Sequence, residues 1–298
     1  MTAAPAPPTA SLLDDPDIFL AIEDLDLAGR GLADAVWHGQ HQSLLRGEGV
    51  EFHSHRTYQA GDDLRRVNWS LLARTRRLFT KQSRQESRRP VHLLLDASAS
   101  MSVHHGPWSK LRYAVRALAA AAHLARRQGD APSLGVLSGS GLSAALPPRS
   151  SADHVSGICA ALAGVTAAGP GQMGAAFQEA RTLCRQRGFI LLISDFLDEA
   201  DTLLSELAAC RAQGHDVLAL QVLDPAEIEL PKTGDYDFLD PETGTRLRTS
   251  VESIATAYAR RIAAWRRSLK QDAESRGLRW QSISTAAPLV QTVREWLR

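Results

Sequence analysis

Three stretches of this chain restrict its fold more than any others: "VHLLLD" at Val91–Asp96, "FILLISD" at Phe189–Asp195 and "DVLALQVLD" at Asp216–Asp224. Each is a nearly continuous apolar run. A strand with one face in water alternates apolar and polar residues, whereas a strand buried on both faces does not, and parallel sheets covered by helices are built from the second kind. Helical patterns separate the runs. Ser109 to Gln128 is alanine-rich, with Ser109 as its cap and Gly129 as its stop. Further helices are expected at Ser150–Ala163, Gly174–Gln186, Glu199–Ala212, Val251–Arg276 and Leu289–Arg298. "SLGVLSG", "GLSAALPP" and "LRWQSIST" read as strands, and "YDFLDPETGTRLRT" as a hairpin turning at Pro241 to Gly244. The region 90–298 is therefore expected to be α/β, a doubly wound, mainly parallel sheet.

The residues before it read differently. Residues 1–16 are rich in Ala, Pro and Thr and are expected to form a disordered tail. Residues 17–89 form a small N-terminal α+β subdomain in this reading. A helix is expected from Ile18 to Leu27, strand character around Val50, Phe52 and Tyr58, a helix from Asp62 or Asp63 through Leu72, and a strand within Arg77–Glu86. The net charge of +1 predicts no polyanionic partner, but the charge is unevenly spread. Arg46 to Arg89 holds 11 Lys/Arg and 5 Asp/Glu, leaving 23 and 28 for the rest. The two parts are suited to attract each other, or the basic part to face an acidic partner. Cys159, Cys184 and Cys210 are too few and too scattered for a disulfide framework or a structural zinc site. The amino terminus lacks the basic flank and apolar core of a signal peptide, and no apolar stretch approaches the ~18–20 residues of a membrane span. The expectation is a soluble cytoplasmic protein.

In a doubly wound sheet, ligands sit beyond the carboxyl ends of the strands, near the switch in strand order. Two of the buried strands end there in an acid flanked by serine. Asp96 is followed by Ser98 and Ser100; Asp195 is preceded by Ser194 and followed by Asp198. Parallel strands would bring both aspartates to one edge, where carboxylates and hydroxyls form a hard, oxygen-only donor set suited to Mg²⁺ or Mn²⁺. A plainer reading also fits Asp96 and Ser98, as turn and cap residues before the Ser109 helix. The second acid-ended strand and Ser100 favour the metal reading. His53 and His55 would share one side of a strand but lack a third zinc ligand. His104 and His105 read as exposed loop residues that could line the same edge. No phosphate loop or nucleophile elbow is present.

"DASAS" at Asp96–Ser100 resembles the Asp-x-Ser-x-Ser metal-ion-dependent adhesion motif of von Willebrand factor A domains, and Asp195 matches that motif's later aspartate. The motif's threonine belongs in the loop holding "GPGQMG"; Gln172 and Met173 stand there instead, and Thr166 falls early. Upstream, "RGEGVEFHSHRTYQAGDDLRRVNWSLLARTRRLFTKQSRQE" closely resembles the signature of the bacterial domain-of-unknown-function family number fifty-eight. Gly47, Gly49, Glu51, Phe52, Arg56, Tyr58, Gly61, Asp62, Asp63, Arg65, Trp69, Ala73 and Arg74 carry the match. Asn68 departs from it, since the family usually has aspartate there.

The resemblance implies a von Willebrand factor A-like, Rossmann-like fold and a non-enzymatic protein-interaction module. Members often accompany MoxR-type AAA+ ATPases, so an adaptor role in chaperone-like assembly or maturation is implied, with Asp96, Ser98, Ser100 and Asp195 holding the metal and Gln172 and Asp198 at its edge. Glu51, Arg56, Asp62, Asp63, Arg65, Arg66 and Arg74 suit an ion network. That network either docks this segment onto the sheet domain or faces a partner, and Trp69 would fill the joint. Two rivals stand beside this reading. One is a metal-dependent phosphatase or nuclease using Asp96 and Asp195. The other is nucleic-acid binding by the basic segment, which its interleaved acids oppose.

Overall fold

The computed structural model describes residues 22–44, 55–57, 79–81, 89–106, 108–139, 141–231 and 233–296. The chain divides into two compact units, Met1–His38 with Arg89–Arg298, and Gly39–Arg88. In the second unit the described residues are an antiparallel pair, β1 (His55–Thr57) and β2 (Phe79–Lys81), with Arg56 opposite Thr80. The tail at 1–16 and the helix expected through Leu72 lie outside the described residues.

The larger unit follows the alternation of its sequence. Its strands are β3 (Pro90–Asp96), β4 (Ala131–Ser138), β5 (Gly141–Leu146), β6 (Phe189–Ser194), β7 (Asp216–Leu223) and β10 (Arg279–Ser284). They form a six-stranded sheet in the order β10-β7-β6-β3-β4-β5, parallel throughout except that β5 runs antiparallel to β4. The strand order reverses between β3 and β6, which places the switch point there. Leu93, Leu94 and Leu95 are fully buried. Because side chains alternate across a strand, Leu93 and Leu95 join the core on one face and Leu94 the core on the other. Each such side chain contributes roughly 1.5–3 kcal/mol by leaving water.

One face is covered by α1 (Leu25–Leu44), α2 (Lys110–Arg127), α3 (Ala152–Ala163) and α8 (Leu289–Trp296). The other is covered by α4 (Met173–Ala180), α5 (Ala200–Ala212) and part of α7 (Val251–Ser275). Ser109 caps α2 by accepting the Arg112 amide at 3.1 Å, and Ser151 caps α3 in the same way. The alanines of α2 let α1 lie close: a Cβ added at Gly29 would sit 2.9 Å from Ala119 Cβ. A four-residue helix, α6 (Pro225–Ile228), follows β7, and β8 (Asp235–Leu239) pairs antiparallel with β9 (Arg246–Ser250).

Two expected boundaries move. The helix expected to end at Leu27 runs from Leu25 to Leu44, its start capped by the Asp24 carboxylate, which accepts the Asp26 and Leu27 amides; the start expected at Ile18 lies outside the described residues. The helix expected to run to Gln186 ends at Ala180, where bonds from Thr182, Leu183 and Cys184 to the third residue back tighten the chain into turns.

Candidate metal edge of the sheet

Leu95 of β3 pairs with Ile193 of β6, so Asp96 comes level with Ser194 and one position from Asp195. Both strands therefore bring their terminal acids to the same edge, at the switch point. Asp96, Ser98, Ser100 and Asp195 are all buried, at 2%, 2%, 5% and 1% exposure. Asp96 accepts the Ser98 amide at 2.8 Å on one oxygen and the Ser194 hydroxyl at 2.6 Å on the other. Ser98 and Ser100 share a hydrogen bond of 3.0 Å between their hydroxyls. The loop before α4 runs alongside, with Ala99 donating to Gly169 O and Ala168 to Ala97 O.

The Asp195 side is arranged differently. One of its oxygens accepts the Leu197 amide at 3.1 Å. The other accepts the Lys110 ammonium at 2.8 Å, and the same ammonium donates to Glu227 of α6 at 2.5 Å. Lys110 is fully buried. Burial pulls its pKa down, but the Asp195 and Glu227 carboxylates outweigh that and hold it above the usual lysine value. Burial keeps Glu227 above the usual carboxylate range, against the pull of Lys110. Burial, then the adjacent Asp195 charge, push Asp96 up to about 6, against its bonds from Ser194 and Ser98. The turn after Asp195 is strained: Phe196 has a φ of 58° and Glu199 of 44°. The buried Phe196 ring lies 4.8 Å from Trp280, and its amide donates to Ser194, which fixes the hydroxyl that reaches Asp96.

Asp96, Ser98, Ser100 and Asp195 are thus brought together, and Asp198 stands beside them, its carboxylate 3.2 Å from where a Gly171 Cβ would be. Gln172 is exposed at the start of α4 and makes no capping bond with its side chain. Thr166 is also exposed. His105 donates its amide to Asp224 at 3.0 Å, and His104 bonds to Gly106 O. Ser194, noted from sequence as the neighbour of Asp195, is a donor to Asp96; Lys110, Glu227 and Glu242 also belong to this edge and were missed from sequence, although a lysine opening a helix runs against the helix dipole and is a signal in itself. Glu51, His53, Tyr58, Asp62, Asp63, Arg65, Arg66, Trp69 and Arg74 lie outside the described residues. His55 and Arg56 are described only as backbone of β1.

Among the described residues the side chains at this edge offer oxygen donors, a set that fits a hard divalent cation, and Lys110 is the exception. Lys110 offsets one negative charge, and Asp96, Asp198, Glu227 and Glu242 leave the edge acidic. A second cluster joins Asp26, His123 and Cys159. Asp26 and Cys159 both approach His123 Nε2, at 2.9 and 3.9 Å, so the imidazole cannot relay a proton from one to the other. Burial, followed by Asp26, pushes the Cys159 thiol up to about 12, which makes it unreactive. This cluster ties α1 to α2 and α3. Among the described residues, no helix is long and apolar enough to cross a membrane.

Proteins similar to this chain are found in mycobacteria. "Uncharacterized protein Rv1480" of Mycobacterium tuberculosis is 32% identical over 292 residues, covering 96% of this chain and 88% of that protein. "Uncharacterized protein MAV169" of Mycobacterium avium is 35% identical over 130 residues, 43% of this chain and 70% of that protein. Among solved structures, the chain is similar to the conserved hypothetical protein BatB from Bacteroides thetaiotaomicron, at 20% identity and a TM-score of 0.46 over 70% of this chain and 97% of that one. It is also similar to the SpRpn10 VWA domain, at 10% identity and a TM-score of 0.42 over 69% and 93%. The family described as "Protein of unknown function DUF58" matches residues 54–268. With that match over most of its length and a mycobacterial relative across nearly all of it, this chain belongs to the DUF58 family.

Proposed function

We propose that this chain is a non-enzymatic protein-interaction module whose grip depends on a divalent cation at the Asp96–Asp195 edge. One observation carries the reading: two buried parallel strands end side by side in acid at the switch point, with the Ser98 and Ser100 hydroxyls beside them. In this reading Asp96, Ser98, Ser100 and Asp195 hold Mg²⁺ or Mn²⁺ directly or through water. Mg²⁺ dehydrates reluctantly and keeps open positions, and a partner's carboxylate completes the shell. The contact is then made with the cation and lost without it. The resemblance noted in the sequence supports a MoxR-type AAA+ ATPase as the partner, in chaperone-like assembly or maturation.

The test is retention of a MoxR-type ATPase from native extract by wild type and by Asp96→Asn, each with Mg²⁺ and with EDTA. Retention only by wild type with Mg²⁺ is expected. Equal retention in all four conditions would contradict a cation-dependent grip and move recognition elsewhere on the chain.

A further inference from the structure

The hairpin β8–β9 was read from sequence only as a hairpin, yet its turn reaches the same edge. Asp240 builds the turn, accepting the Glu242 amide at 2.9 Å and the Thr243 hydroxyl at 2.6 Å. The Glu242 side chain is not used by the turn. Its carboxylate comes against Asp198 and close to Gly171. One of its oxygens, Oε1, is completely buried and, among the described residues, has no hydrogen-bond donor. A buried carboxylate oxygen facing another carboxylate is held only by a shared proton or by a cation.

The location matters as much as the charge. Gly171 lies in the loop expected to supply the adhesion motif's threonine. A Cβ there would stand 3.2 Å from Asp198 Oδ2 and 3.5 Å from Ser98 Cβ, so the backbone passes closely between the serine turn and Asp198. The loop offers backbone where a hydroxyl is missing, and Glu242 lies close to it. A cavity of about 530 Å³ lies between the hairpin and the edge, lined by Ser100, Asp198, Glu227, Glu242 and Tyr258.

We infer that Glu242 is a ligand of the divalent cation at this edge: the hairpin delivers an intramolecular carboxylate which, with Asp198, takes the place of the absent threonine. This deepens the proposed function and rests on a cation binding beside Asp96. Binding of the cation would also fasten β8–β9 to the sheet edge, so the ion sets the position of the hairpin next to any partner.

The experiment is a calorimetric Mn²⁺ titration of the full chain as wild type, Glu242→Gln and Asp96→Asn, with hydrogen exchange followed across residues 235–250. Wild type is expected to bind one Mn²⁺ and Glu242→Gln to bind at least about tenfold more weakly. Mn²⁺ should slow hairpin exchange in wild type and not in Glu242→Gln. Wild-type affinity in Glu242→Gln, with hairpin exchange indifferent to Mn²⁺, would overturn the inference and leave the Asp96 site standing. If Asp96→Asn keeps full affinity while Glu242→Gln loses it, Glu242 is a ligand but the ion is not held by Asp96. A wild type that takes no Mn²⁺ would overturn both readings.

Discussion

Asp96 and Asp195 occupy the same place in their sequences, each at the end of a buried apolar strand, and the fold treats them oppositely. Asp195 is held by a buried ammonium, Lys110, and by the Leu197 amide. Among the described residues Asp96 has only neutral donors, the Ser98 amide and the Ser194 hydroxyl. Lys110 therefore balances one acid of the pair and leaves the other short of positive charge. Two acids at one edge do not make two equivalent ligands. In the proposed reading Asp195, already paired with Lys110, meets the cation as a pre-anchored group, and Asp96 has more to gain from its charge.

The largest effect should come from removing the charge that makes the two sides differ. Lys110→Met leaves Asp195 and Glu227 facing each other without a cation, and a buried pair broken on one side costs about 3–5 kcal/mol. Urea denaturation should show that loss, and a variant as stable as wild type would mean that the ammonium is not needed there.

Next comes the pH response of Asp96. Its folded pKa, about 6, lies above the ordinary 3.8, so the folded state holds the extra proton. The stability from this group is full below pH ~4 and is lost as pH rises through ~6, a change of roughly 3 kcal/mol without metal. In metal-free buffer, Asp96→Asn should lose that slope between pH 4 and 6. An unchanged slope would assign it to other carboxylates, such as Glu227, whose pKa is raised in the same direction.

A smaller effect is expected from Ser194→Ala. It removes a 2.6 Å donor to Asp96 and the acceptor of the Phe196 amide, at a cost of about 1–3 kcal/mol. The same change at Ser100, whose hydroxyl bonds only to Ser98 among the described residues, should alter stability by less than about 1 kcal/mol while weakening Mn²⁺ binding. A Ser100→Ala chain that denatures far earlier would mark that hydroxyl as structural.

The strand ends were legible in the sequence because burial on both faces writes an unbroken apolar run, and the acid that stops it has no packing reason to be there. The order of helices and strands followed from the same runs. Lys110 was legible only as a lysine set against the α2 dipole; its partners Asp195 and Glu227 come from elements more than 80 residues away, so nothing local marks it as buried. Glu242 sits in a turn-rich stretch where every residue suits a turn. That Asp240 already supplies the turn's bonds appears only once the hairpin is folded. The short α4 helix was overextended because its last turns keep a helical composition while their hydrogen bonds shorten.

The central claim is that the edge at Asp96 holds a divalent cation. Its most direct test is the electron paramagnetic signal of free Mn²⁺ during titration of metal-stripped wild type and Asp96→Asn at neutral pH. The account predicts that wild type removes one equivalent of signal and that the variant removes little. Equal loss in both proteins, or none in either, would contradict it.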